Sequence, residues 1–72
     1  AGATAYLRAQ VLYRLAEMME GKAAELVSAD SSEDEVTATI DRGGRLLQVI
    51  PGEMFEEDVL ELLQLADKEI RS

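Results

Sequence analysis

Residues 36–50, Val-Thr-Ala-Thr-Ile-Asp-Arg-Gly-Gly-Arg-Leu-Leu-Gln-Val-Ile, admit the fewest folds and set the terms for the rest of the chain. Val36, Ala38 and Ile40 alternate with Thr37 and Thr39, the period-two pattern of a strand with one buried face. Asp41-Arg42-Gly43-Gly44 carries turn chemistry. An aspartate closes a turn with its own side chain, and a glycine supplies the positive φ that a short hairpin loop demands. Arg45 to Ile50 then reads as a returning strand. An isolated hairpin is marginal in water, so its apolar face needs a cover. The flanking segments are the candidates for that cover.

Residues 3 to about 29 read as a helix. Leu7, Val11, Leu15 and Met18 recur at spacings of four, four and three, and Leu12, Met19 and Leu26 form a second row at spacing seven. Together they make a broad apolar stripe. Arg8, Gln10, Arg14, Glu17 and Glu25 are the predicted wet positions. Gly21 costs about 1 kcal/mol inside a helix relative to alanine. The strong helix formers Ala23, Ala24 and Glu25, with Leu26 keeping the stripe, predict that the helix continues past it. Ser28 to Glu35 reads as a solvated acidic loop, with Leu26 to Ala29 the alternative of a short third strand. The acidic cluster lacks the alternating spacing and later glutamate of a calcium loop.

Pro51-Gly52 marks a turn that ends the hairpin. Residues 53–71 read as a second helix, with Phe55, Val59, Leu62 or Leu63, Ala66 and Ile70 on its core face. Glu53, Glu56, Glu57 and Asp58 crowd its start while Lys68 and Arg71 sit in its last turn, both favoured by the helix dipole. Met54, Leu60 and Leu65 widen the apolar surface and are candidates to meet another chain. The plain alternative is that they are ordinary half-exposed side chains.

The predicted fold is therefore α+β. A long N-terminal helix leads into an antiparallel β-hairpin with an optional third short strand, and an amphipathic C-terminal helix closes a single small domain over residues 1–72. A chain of this size buries a modest core and favours a partner. A homodimer is expected, with Leu12, Met19, Leu26, Leu60 and Leu65 as the self-association residues.

Chemistry has little to work with. The 72 residues include no cysteine and no histidine, which removes thiolate sites and the commonest general base and metal ligand. Glu57 and Glu61 share a helix face but lack a third convergent ligand. Ser31-Ser32 has no base to activate a nucleophile. Gly43-Gly44 lies between two strands and so does not match a phosphate-binding loop. Tyr6, Tyr13 and Phe55 sit at core-compatible helical spacing and form no base-stacking platform. No enzyme, cofactor or metal site is expected. No apolar run reaches membrane-spanning length and no cleavable signal is visible, which points to a cytoplasmic setting. Fifteen acidic against seven basic residues give a net charge of −8. Such a charge repels phosphate backbones unless the basic residues are gathered on one face. Arg42 and Arg45, flanking the double glycine, are the minimal candidates for contact with a nucleic acid or another anion.

Two resemblances extend this reading. Residues 31–50, Ser-Ser-Glu-Asp-Glu-Val-Thr-Ala-Thr-Ile-Asp-Arg-Gly-Gly-Arg-Leu-Leu-Gln-Val-Ile, followed by a helix opening Glu56-Glu57-Asp58-Val59, resemble the YbaB/EbfC nucleoid-associated family. That resemblance implies a helix–strand–strand–helix fold, a homodimer, and DNA binding without strong sequence preference. Residues 5–21 are similar to the N-terminal helix of aldehyde dehydrogenases, through Arg8, Ala9, Leu12, Arg14 and Ala16. They carry none of that family's catalytic or cofactor-binding residues. The function this predicts is a small, non-enzymatic, self-associating binding module of YbaB type, with DNA as a candidate partner. The alternatives are an acidic scaffold element for a basic protein partner, or an engineered or chimeric chain without activity of its own.

Overall fold

The computed structural model describes residues 2–71 and contains three helices in sequence: α1 (Gly2–Ser28), α2 (Glu33–Val49) and α3 (Glu56–Arg71). There is no strand among the described residues. The α+β expectation and its β-hairpin are thus overturned, and with them the helix–strand–strand–helix fold implied by the YbaB/EbfC resemblance. The chain is an all-helical bundle.

Two features turn residues 36–50 into a helix. The first is the start signal. Ser32 is extended (φ −67°, ψ 155°) and its Oγ accepts a hydrogen bond from the Glu35 N–H at 3.3 Å. Ser32 to Glu35 is a Ser-x-x-Glu sequence, the N-terminal signature of a helix, and Glu33, Asp34 and Glu35 place three carboxylates where the helix dipole favours them. The second is the inward face. Val36, Thr39, Gly43, Leu46 and Ile50 recur at three, four, three and four, the spacing of a helix seam. Thr39, Gly43, Leu46 and Ile50 are buried. This seam outweighs the alternation of Val36 to Ile40, because it buries the segment against two neighbours and a lone hairpin does not. Neither Gly43 nor Gly44 has a positive φ. The double glycine is a helix interior, not a turn.

The reversal between α1 and α2 occupies only residues 29–32. Asp30 takes the left-handed conformation (φ 59°), its N–H bonding to Val27 O at 3.0 Å while the Ser31 N–H bonds to Leu26 O at 2.9 Å. This pair of bonds is a Schellman ending, in which a residue past the helix end closes the last carbonyls. The optional strand at Leu26 to Ala29 is instead the last turn of α1, which runs through Gly21 as its helix-forming neighbours predict. The acidic loop over 28–35 shrinks accordingly, because most of its carboxylates start α2.

α1 and α2 are antiparallel and α3 returns parallel to α1. The Arg8 Nε donates to Pro51 O at 3.1 Å, tying the end of α2 to the beginning of α1. Arg71, at the end of α3, lies beside Glu17, Gly21 and Glu25 in the middle and upper part of α1. The molecule measures 43 × 17 × 16 Å, and a 27-residue helix of about 40 Å accounts for the long axis.

The core runs along the inside of all three helices. Val11, Leu15, Leu46, Ile50, Met54, Ala66 and Ile70 are buried in it, and Leu7, Leu12, Met18, Met19, Val59 and Leu62 pack at its edge. Where α1 crosses α2, Met19 lies directly on Gly43. A Cβ built on that glycine collides with the Met19 Sδ and sits 2.9 Å from its Cγ. The side-chain-free position lets the two helices close up. Two expectations near Pro51 are corrected here. α3 begins at Glu56 rather than residue 53, and the assignments of Met54 and Phe55 exchange. Met54 is 1% exposed and plugs the core, whereas Phe55, assigned to the core face, is 56% exposed. In the non-helical link after Pro51 the side chains no longer follow the 3.6 period, so the register predicted for α3 slips at its first residues.

Candidate interaction surfaces

Because the bundle closes its core with some large apolar side chains to spare, the candidate sites lie on its outside. The residues assigned to self-association divide into two groups. Leu12 and Met19 pack against the core edge, and Leu26 is half-buried on the same side of α1. Leu60 and Leu65 face outward on α3, 65% and 42% exposed. The structure therefore does not bring the five together as one patch.

Glu56 and Glu57 lie one turn before Leu60 and are exposed, while Asp67, two turns after it, is paired with the Arg71 guanidinium at 2.9 Å. Leu65 borders a groove of about 510 Å³ that it shares with Pro51, Asp58, Glu61 and Leu62. Its floor is apolar and its rim carries two carboxylates.

Arg42 and Arg45 are not at a loop tip. They are one turn apart on α2 and border a shallow hollow with Ala38 and Asp41. A second hollow, between α2 and α3, brings both next to Leu65 and Glu69. Arg42 is half-buried, and its Nη2 donates to the Thr39 Oγ1 at 3.5 Å. That hydroxyl donates in turn to Glu35 O at 3.1 Å, which satisfies a side chain that is 0% exposed. The Arg42 Nε is buried without a hydrogen-bond partner. With Asp41 and Glu69 beside them, the two arginines do not make a basic stripe.

The surface missed in the sequence is on α1. Tyr6 and Tyr13 are 64% and 70% exposed, on the side of the helix facing away from Leu7, Val11, Leu15 and Met18. Ala9, Leu12, Tyr13 and Ala16 enclose a shallow, almost wholly apolar hollow of about 270 Å³. The signal in the sequence is the seven-residue spacing of Tyr6 and Tyr13, which a core-facing pair shares.

Glu57 and Glu61 are both exposed, and no group of three or more acidic side chains among the described residues is placed to hold a metal ion. No helix among them is long and apolar enough to cross a membrane. No protein-family model, curated protein or solved structure matches this chain.

Proposed function

We propose that the chain is a non-enzymatic helical interaction module that associates with itself. The observation that carries this reading is the exposure of Tyr6, Tyr13, Leu60 and Leu65 on a bundle whose core is already closed. Large exposed apolar side chains gathered on a face mark association surfaces, whereas singly scattered ones do not. Tyr6 and Tyr13 share such a face with Ala9 and Ala16.

Sedimentation over a wide concentration range tests it. The mass is expected to rise from one chain toward two, and a constant single-chain mass would overturn the reading. Salt sharpens the test. Two copies each carrying −8 repel one another, so added salt strengthens their association.

A second reading is favoured by the groove of Pro51, Asp58, Glu61, Leu62 and Leu65. An apolar floor with acidic rims suits a basic amphipathic segment of a protein partner, and such a complex weakens with salt. Duplex DNA is the weakest of the candidate partners, because Asp41 and Glu69 border both arginines. No mobility shift is expected at low salt. A shift that fades steeply as salt rises would restore nucleic acid as the partner.

A further inference from the structure

We infer that two copies of this chain pair through the outward face of α1 as an antiparallel two-helix seam, an inference that rests on the self-association reading above. Tyr6, Ala9, Tyr13, Ala16, Glu20, Ala23 and Val27 follow one another at spacings of three and four along the whole of α1. This is a second heptad seam on the same helix. It lies on the opposite side from Leu7, Val11, Leu15 and Met18, and all of its members except the half-buried Ala23 are exposed. One helix therefore carries two seams, and the bundle uses one.

The order of large and small residues selects the partner and its direction. In an antiparallel pair each first-position residue faces a fourth-position residue of the other helix. Tyr6 then faces Ala23 of the second copy, Tyr13 faces Ala16, and Glu20 faces Ala9. Every layer sets a large side chain against a small one, so the volumes interlock along the length of α1. In a parallel pair Tyr would meet Tyr, Ala would meet Ala, and the two Glu20 carboxylates would be forced together, alternating crowding with voids. The hollow formed by Ala9, Leu12, Tyr13 and Ala16 has the i, i+3, i+4, i+7 outline that a facing side chain enters.

Charge points the same way. Glu20 is the seam's single ionisable residue at neutral pH, and in the antiparallel pair it faces Ala9 rather than its own copy, so the contact builds in little like-charge repulsion. Aromatic side chains bury roughly 150–250 Å² each, so four mostly exposed tyrosines supply on the order of 400–700 Å². With the alanines, Val27 and the edge of Leu12 the seam reaches the lower end of stable interfaces, about 1,000–1,200 Å². The resulting dimer is a weak, concentration-dependent one.

The absence of cysteine makes the test clean. The two-fold axis of the antiparallel pair falls between residues 14 and 15. The two copies of residue 16 are then offset by about 4.5 Å along the seam, and those of residue 23 by about 25 Å. Single variants Ala16→Cys and Ala23→Cys, treated with a thiol linker of about 10 Å to match the interaxial distance, read out this geometry. The first is expected to cross-link to itself and the second is not, while a mixture of Ala9→Cys and Glu20→Cys links one to the other. Self-linking of both Ala16→Cys and Ala23→Cys would overturn the antiparallel arrangement. A chain that dimerises by sedimentation but links through none of these positions would overturn the α1 seam and leave self-association standing. A chain that never dimerises would remove both. As a second readout, Tyr13→Glu should weaken the dimer at least about tenfold. Leu60→Glu should leave it intact, with both variants keeping the parent helix content. Dissociation by Leu60→Glu alone would move the interface to α3 and refute the seam.

Discussion

Gly43 and Gly44 are neighbours in sequence with opposite expected responses to the same substitution. Both lie in the interior of α2, where glycine costs about 0.5–1 kcal/mol relative to alanine through lost backbone freedom. Nothing lies within 4 Å of a Cβ placed on Gly44. Gly44→Ala therefore recovers that full amount, and for a domain of this size about 1 kcal/mol raises the melting temperature by about 4–8 °C. A Cβ on Gly43 meets the Met19 side chain, with its Cε 3.2 Å away and its Cγ and Sδ closer still. Overpacking of this kind costs about 1–3 kcal/mol, at the low end here because Met19 is unbranched and can swing aside. The propensity gain is offset, and Gly43→Ala should melt below Gly44→Ala by at least about 4 °C. Removing the obstacle tests the cause: in a Met19→Ala background the two alanine variants should converge, the coupling falling within about 0.5–3 kcal/mol. Thermal and urea unfolding followed by circular dichroism at 222 nm reports the parent, the Met19→Ala protein and both glycine variants in each background. If the double glycine were a hairpin turn, alanine at a positive-φ position would destabilise. A Gly44→Ala protein that melts below its parent would refute the helix and the reasoning built on it.

Other expected outcomes follow from the ends of the helices and the core. Ser32→Ala removes the hydroxyl that accepts from the Glu35 N–H and should cost about 0.5–2 kcal/mol in urea unfolding. Asp30→Gly relieves the left-handed φ of 59° at the α1 ending and should stabilise by about 0.5–1 kcal/mol, read as a rise in melting temperature. Leu15→Ala empties a site that is 2% exposed, and the expected loss of about 2–5 kcal/mol is large for a chain this small, enough to abolish cooperative unfolding.

How far the fold could be read from the sequence depended on which residue types occupied the inward positions. α1 and most of α3 present leucine, valine and isoleucine to the core, and their periods were plain. Gly21 did not break α1 because the residues around it favour helix. α2 turns Thr39 and Gly43 inward, and neither registers as apolar, so the seam from Val36 to Ile50 was hidden while the alternation of Val36 to Ile40 stood out. Thr39 fits its position because its hydroxyl donates to Glu35 O, and Gly43 fits because Met19 fills the space above it. Ser32 and Glu35 spell a helix start, but the acids around them give the segment the composition of a solvated loop. Met54 and Phe55 lie outside the helical period, and only the path of the link after Pro51 decides which of them is buried. The surface is the least legible part of the chain. Tyr6 and Tyr13 have the spacing of core residues, and nothing local in the sequence says that α1 carries a second seam opposite the first.

The three-helix fold requires residues 33–49 to form one unbroken helix. Backbone nuclear magnetic resonance of the uniformly labelled chain measures this residue by residue. Helical Cα shifts and sequential amide–amide contacts running without interruption from Glu33 through Gly43 and Gly44 to Val49 are the expected result. Extended shifts on either side of the double glycine, with contacts between residues 36–40 and 46–50, would contradict it.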